Sequence, residues 1–257
     1  MKNKRRQTLA YAPTYQEGKV NQLKVLEAIR ERRSIRRFKA SPLSEQQIGR
    51  LIEATRLAPS GCNVQPWRFI IVKDKELKRG LREASFNQKF IEDAPIVIVC
   101  CGDLLSWKKT REHTREVLKR GDVPLSKECE NALMDRVDRA VLAEMHERIP
   151  STLLNVAIAI EHIVLEAVEL GLGSCWIRLF DEKRIRQLLD LPENLCVVAL
   201  LPVGVPDEEP KPRPRLSSSA ITLSIKVRAP KSKSVLQSIS KHKSFQKEEE
   251  IAHAKKG

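Results

Sequence analysis

The apolar positions of this chain follow several different rhythms along its length, and each rhythm predicts an element. From about Asn21 to Arg32, Leu23, Leu26 and Ile29 recur at helical spacing with charges opposite, which predicts a first amphipathic helix. Ser44 with Gln47 forms a capping box ahead of Ile48, Leu51, Ile52 and Thr55, so a second helix starts there and stops near Pro59. Phe69–Val72 and Pro95–Cys100 are short unbroken apolar runs of the kind buried strands show, and Asp74 can cap a third helix between them, through about Ser85. From Trp107 to Pro150 charge becomes dense, and Gly121 and Pro124 divide it into two helical pieces. The later piece sets Leu133, Val137, Ala140, Val141 and Met145 on one face.

Leu153–Leu170 is apolar nearly all round, interrupted by Asn155, Glu161, His162, Glu166 and Glu169. Those polar groups argue against a membrane span and for a helix at the centre of a domain. Gly171 stops it, and Gly171–Ile177 opens a third strand. Asp181 caps a short helix reaching Leu189. Cys196–Leu201 reads as a fourth strand closed by Pro202 and Gly204, Pro210–Arg215 as an extended segment, and Ile221, Leu223, Ile225 and Val227 as a final strand of period two. The fold class is α+β, a small mixed β-sheet flanked by helices. Residues 1–20 read as an arm, 21–227 as one domain with a helical insertion at 107–150, and 228–257 as a basic, disordered tail.

A chain of 257 residues with 41% hydrophobic content can bury a full core. Its formal charge of +14 invites a nucleic-acid reading, so the location of that charge matters. Residues 1–20 set five basic side chains against Glu17, and residues 228–257 set eight against Glu248, Glu249 and Glu250. The interior keeps only +5. With 4% aromatic residues and no reading motif, a nucleic-acid-binding protein is the weaker alternative; a salt titration of DNA binding would discriminate it. Cysteines 62, 100, 101, 129, 175 and 196 show no CxxC pair or metal-ligand spacing and read as reduced, mainly buried thiols of a cytoplasmic protein. No secretory signal and no uncharged membrane-length run is evident, and GxGxxG and GxxxxGK[ST] are both absent.

Arg32-Arg33-Ser34-Ile35-Arg36-Arg37-Phe38 packs four arginines and a hydroxyl behind the first helix. Such donors suit a phosphate; equally, they could only complement the helix's negative end. Pro59-Ser60-Gly61-Cys62-Asn63-Val64-Gln65-Pro66-Trp67 is a loop between helix and strand, where Gly61 allows a close backbone approach and the amides of Asn63 and Gln65 both donate and accept. Those amides could also do no more than cap the loop's own backbone. Cys175 has no histidine in its local sequence and is not read as a nucleophile. His162 reads as a satisfied core histidine, and Glu166 and Glu169 as structural.

Taken in order and spacing, Arg32–Phe38, Pro59–Trp67, Gly171–Ile177 and Lys211–Arg215 resemble the signature segments of the nitroreductase-like FMN-dependent oxidoreductase family, over roughly residues 22–216. The resemblance implies that Arg32, Arg33, Ser34 and Arg36, with Arg213 and Arg215, hold the FMN phosphate. It implies that Pro59, Ser60, Gly61, Asn63 and Gln65 meet the isoalloxazine ring, partly from a neighbouring subunit, and that Cys175, Trp176 and Ile177 lie against its N5 and O4 side. A three-layer α/β/α homodimer with an exchanged C-terminal segment is implied, with NAD(P)H as transient reductant and a nitroaromatic or quinone as small-molecule acceptor. No catalytic side chain is named, because the flavin carries the chemistry. Reductive dehalogenation or ring cleavage is the alternative within the family, and a flavin carrier without turnover lies outside it. Arg178 stands where the family has glycine or glutamate; it would either favour anionic acceptors or point to solvent.

Overall fold

The computed structural model describes residues 24–121 and 124–223. The chain divides into a unit ending at Pro212 and a second beginning at Arg213. In the first unit, α1 is Val25–Glu31, α2 Glu45–Arg56, β1 Trp67–Val72, α3 Lys75–Ala84, α4 Phe90–Asp93 and β2 Ile96–Asp103. Then come α5 at Thr110–Arg120, α6 at Lys127–Leu142, α7 at Ile149–Glu169, β3 at Gly173–Ser174, α8 at Glu182–Leu188 and β4 at Leu195–Gly204. The second unit, described to Leu223, holds α9, Ser218–Ile221.

The strands order β1-β2-β4-β3, and every ladder is antiparallel. The expected α+β class therefore holds. The mixed pairing does not: among the described residues the parallel pairing is a single bridge, Ser34 with Ser174, because pairing direction follows from chain reversals that no local apolar run encodes. In β2, Ile96, Ile98 and Cys100 face one core and Val97, Val99 and Cys101 the other, which is why this strand reads as one unbroken apolar run. β4 carries a bulge opposite Cys100 and Cys101, which brings the consecutive residues Val198 and Ala199 onto the same face. It also runs on through Pro202, whose carbonyl accepts from Cys175 N–H at 3.3 Å, instead of closing there.

α2 and α7 cover one face of the sheet, and α3, α4 and α8 the other. α2 begins where the capping box places it: Ser44 Oγ accepts from Gln47 N–H at 3.2 Å and Gln47 Oε1 from Ser44 N–H at 2.9 Å. Its residues Ile48, Leu51 and Thr55 are buried, and it packs against α7. α7 is about 31 Å long. The segment His146–Glu169 is long and apolar enough to cross a bilayer, yet Val156, Ala159, Ile160, Ile163 and Ala167 are buried against the sheet and α2, so it serves as the core helix. Its polar exceptions are tethers. His162 Nδ1 donates to Ala54 O at 3.1 Å and Arg50 Nε pairs with Glu166 Oε1 at 2.6 Å. Burial still holds the Glu166 carboxyl above its ordinary range, against the opposing pull of Arg50.

Three further expectations change. β3 is only two residues long, with Ile177 bridging Leu200 beyond it. The apolar side of α1 is open in the single chain: Ala28 is buried while Val25, Leu26 and Ile29 are 72%, 54% and 52% exposed. Ile221 ends α9 instead of starting a strand, since Ser217 Oγ accepts from Ala220 N–H at 3.3 Å and a satisfied helix start outweighs alternation. Leu23 of the first helix, Ile225 and Val227, the arm and the tail lie outside the described residues.

The insertion follows its reading more closely. α5 ends at Gly121 in the left-handed conformation, φ 71°, and α6 buries Val137. Arg148, itself buried, closes the insertion by donating to Leu104 O at 3.0 Å and Val141 O at 2.9 Å, which satisfies a carbonyl at the α6 C-terminus.

Candidate functional site

Two clusters emerge, both built on α7. In the first, the chain leaving α1 runs beside β3: Ser34 bridges Ser174 and Ile35 N–H donates to Ser174 O at 3.0 Å. Gly173 makes the approach possible, since a Cβ there would lie 2.8 Å from Ile35 Cβ and nearer still to Cγ1. Glu208 fixes the next turn, its Oε1 accepting from the backbone N–H groups of Arg36 and of Arg37, the latter at 3.0 Å. Arg36 in turn lies over the Phe90 ring, 5.9 Å from its centroid.

The Arg32–Arg36 segment and Cys175 thus share one neighbourhood. Burial pushes the Cys175 thiol up, while Arg36, a hydrogen bond with Ser34 and Arg32 pull it down. Burial likewise raises the Glu161 carboxyl on α7, with Arg32 the largest opposing influence. Among the described residues, no carboxylate lies within 4 Å of the Arg32, Arg33 or Arg36 guanidinium groups. Arg33 instead donates to Arg30 O at 2.6 Å and Arg32 O at 2.8 Å. Trp176 packs on the α7 side of the sheet and Ile177 on the other. Arg178 is exposed.

The second cluster is the Pro59–Gln65 loop. Gly61 N–H donates to Asn155 Oδ1 on α7 at 2.9 Å, and Asn155 Nδ2 donates to Ser151 O at 2.8 Å. Gln65 N–H donates to Ser60 Oγ at 3.0 Å. Between these fixings Cys62, Asn63 and Gln65 have φ of 52°, 51° and 46°, in the left-handed region that Cys and Gln rarely adopt. Gly61 has no such φ, and among the described residues a Cβ there would meet only Asn155 Oδ1, at 4.0 Å. Strain of about 1–3 kcal/mol per residue persists where surrounding bonds over-determine it, as they do here. Replacing Asn155 by Leu keeps the number of side-chain heavy atoms and removes the Gly61 acceptor; urea melts should show a loss of about 1–2 kcal/mol.

Within the loop, Gln65 Nε2 donates to Asn63 Oδ1 at 3.0 Å and to Asn63 O at 3.3 Å. The amides do bond inside their own loop, though not only there, for Asn63 Nδ2 also meets His113 Nε2 of α5 at 3.3 Å. Arg68 ties the loop's exit to the insertion's entrance, donating to Gln65 O at 3.2 Å and pairing with Asp103 at 2.9 Å. The Arg32–Arg36 cluster is anchored at Glu208 and β3, the loop at Asn155 and His113. Two surface clefts, of about 590 Å³ along α8 and 470 Å³ beside Met145 and Arg148, are lined by none of these residues. Arg213 and Arg215 belong to the second unit, where Arg215 donates to Arg213 O at 3.4 Å and Pro214 O at 3.3 Å.

Sequence reasoning named neither Glu208 nor Phe90, His113 or Arg68. Asn155 did leave a signal, as an amide on an otherwise apolar helix.

Comparison with known proteins decides the family. The nitroreductase family profile matches residues 29–205, more than half of the chain. The chain belongs to the nitroreductase family. A Thermus thermophilus relative named NADH dehydrogenase is 36% identical over 179 residues, covering 70% of this chain and 85% of that one. A Bacillus subtilis FMN reductase (NAD(P)H) is 27% identical over 184 residues, 71% of this chain and 66% of that one. A nitroreductase-like protein of Streptococcus mutans superposes with a TM-score of 0.66 at 25% identity, covering 78% of this chain and 98% of that one. The nitroreductase match contains the Arg32–Arg36 segment, β3 and the Pro59–Gln65 loop, and stops short of Glu208, Arg213 and Arg215.

Proposed function

We propose that this nitroreductase-family protein is an FMN-dependent oxidoreductase that takes electrons from NAD(P)H and passes them to a small acceptor such as a nitroaromatic or quinone. The observation that carries the reading is the set of arginines at 32, 33 and 36, free of carboxylates among the described residues and held beside β3. A guanidinium group already matched to a carboxylate has little to offer a phosphate; these have no such match. The residues present therefore fit FMN. Arg32, Arg33, Ser34 and Arg36 would hold the phosphate. Asn63 and Gln65 would meet the ring edge on the loop of Pro59, Ser60 and Gly61, and the backbone of Cys175, Trp176 and Ile177 its reactive side.

Bound FMN supplies hydride acceptance and electron release. The chain supplies position and charge: the arginines balance the phosphate, the loop amides orient the ring, and the insertion bounds the space left for the acceptor. Two clusters with separate anchors, together with the open apolar side of α1, support a homodimer in which one protomer's loop completes the other's site.

Anaerobic titration tests the proposal. Purified protein should be yellow, or become so with added FMN; it should bleach on NADH or NADPH and recover its colour on addition of a quinone. A protein that is colourless after incubation with excess FMN and removal of the unbound flavin would refute it.

A further inference from the structure

Asn63 is held from both ends of its amide. Its Oδ1 accepts from Gln65 Nε2 at 3.0 Å, and its Nδ2 lies 3.3 Å from Nε2 of His113. With the carbonyl end engaged by a donor, the amine end must donate, so His113 accepts through Nε2 and carries its proton on Nδ1. Gln65 spends its donors on Asn63 Oδ1 and Asn63 O, leaving Oε1 as an acceptor, and Asn63 keeps one N–H. The loop therefore presents one fixed donor beside one fixed acceptor. That is the complement of a carbonyl next to a ring N–H, the pattern a flavin edge offers. The Gln65 amide is directed by the Asn63 backbone carbonyl, whereas without an acceptor on the insertion the Asn63 amide is held at its Oδ1 end alone.

We infer that His113 is a positioning residue for flavin-edge recognition: from α5 it sets the direction of the Asn63–Gln65 amide pair. The inference rests on the FMN reading above and deepens it, because it makes the charged insertion part of the cofactor site as well as a wall for the acceptor. The geometry suits such a role. The loop's backbone is fixed from α7 and Ser60, so His113 need only choose an orientation. Its neighbour Thr114 is buried, which fixes this turn of α5 against the domain.

Full-length His113→Leu, His113→Gln, Asn63→Ala and the His113→Leu/Asn63→Ala pair test it. Leu removes the acceptor, and Gln restores one on a comparable reach. Dissociation constants are measured for FMN, for riboflavin, which lacks the phosphate, and for inorganic phosphate. His113→Leu should weaken FMN and riboflavin alike by about threefold to tenfold, the scale of one neutral hydrogen bond, and leave phosphate unchanged. His113→Gln should recover the affinity, and the double variant should lose no more than Asn63→Ala alone. Unchanged riboflavin binding in His113→Leu, no recovery with Gln, or additive losses would overturn the inference. So would equal weakening of phosphate, since that marks a general structural defect. Should the wild type bind neither flavin, the FMN reading falls by itself. Nitrogen-15 NMR of the cofactor-free protein then decides on His113: a proton on Nδ1 with bare Nε2 supports the amide lock, and a proton on Nε2 removes it.

Discussion

Replacing Arg32 and Arg36 together by alanine should leave the cofactor-free protein folded and cost it FMN affinity by about 10² to 10⁴. Each guanidinium would lose a charge-assisted hydrogen bond to phosphate worth about 1.5–3 kcal/mol, and about 1.4 kcal/mol is a factor of ten. Folding should be spared because Arg36 is exposed and neither side chain is matched to a carboxylate in the described chain. Added salt should narrow the gap between wild type and variant, since screening weakens the arginine contribution alone. Riboflavin provides the control: without a phosphate, it should bind both proteins equally. Equal FMN affinity of variant and wild type would place the phosphate elsewhere.

The second large effect is expected at Gly173. Alanine there puts a Cβ 2.8 Å from Ile35 Cβ and nearer still to its Cγ1, closer than real Cβ contacts occur. Ile35 cannot simply retreat, being buried and bonded through its N–H to Ser174 O. The Arg32–Arg36 segment must lift from β3, so Gly173→Ala should lose about 1–3 kcal/mol of stability and much of its FMN affinity at once. Thermal melts should register about 2–4 °C for each kcal/mol. Adding Ile35→Ala removes Cγ1 and Cγ2 but not the Cβ contact, so recovery should be partial. Wild-type melting and FMN binding in Gly173→Ala would mean the two segments are not held in contact.

These effects turn on residues of unequal visibility in the sequence. The start of α2 was legible because Ser44 and Gln47 are three positions apart and satisfy each other locally. α7 was legible because few soluble segments are so apolar, and Gly171, with φ 67°, ended it as expected. The partners of the arginines were not legible: Glu208 lies 172 positions from Arg36, and long-range pairing leaves no mark in either neighbourhood. The loop was found, but its backbone was not: the left-handed conformations of Cys62, Asn63 and Gln65 are held by Ser60 and Asn155, and the residue types Cys and Gln do not announce them. Ile221 failed for the opposite reason, a local cap defeating a weak alternation.

α7 has a consequence beyond packing. Asn155 carries the loop and Glu161 answers Arg32, six residues or about 9 Å apart along one helix axis. The distance from the loop's anchor to the helix turn beside Arg32 is thus set along a single rigid rod, while α5 meets the loop through His113. A descendant that rebuilds α5 without a substitute for His113 would disturb the loop and spare the arginine segment, so that change at the one and change at the other can be inherited separately.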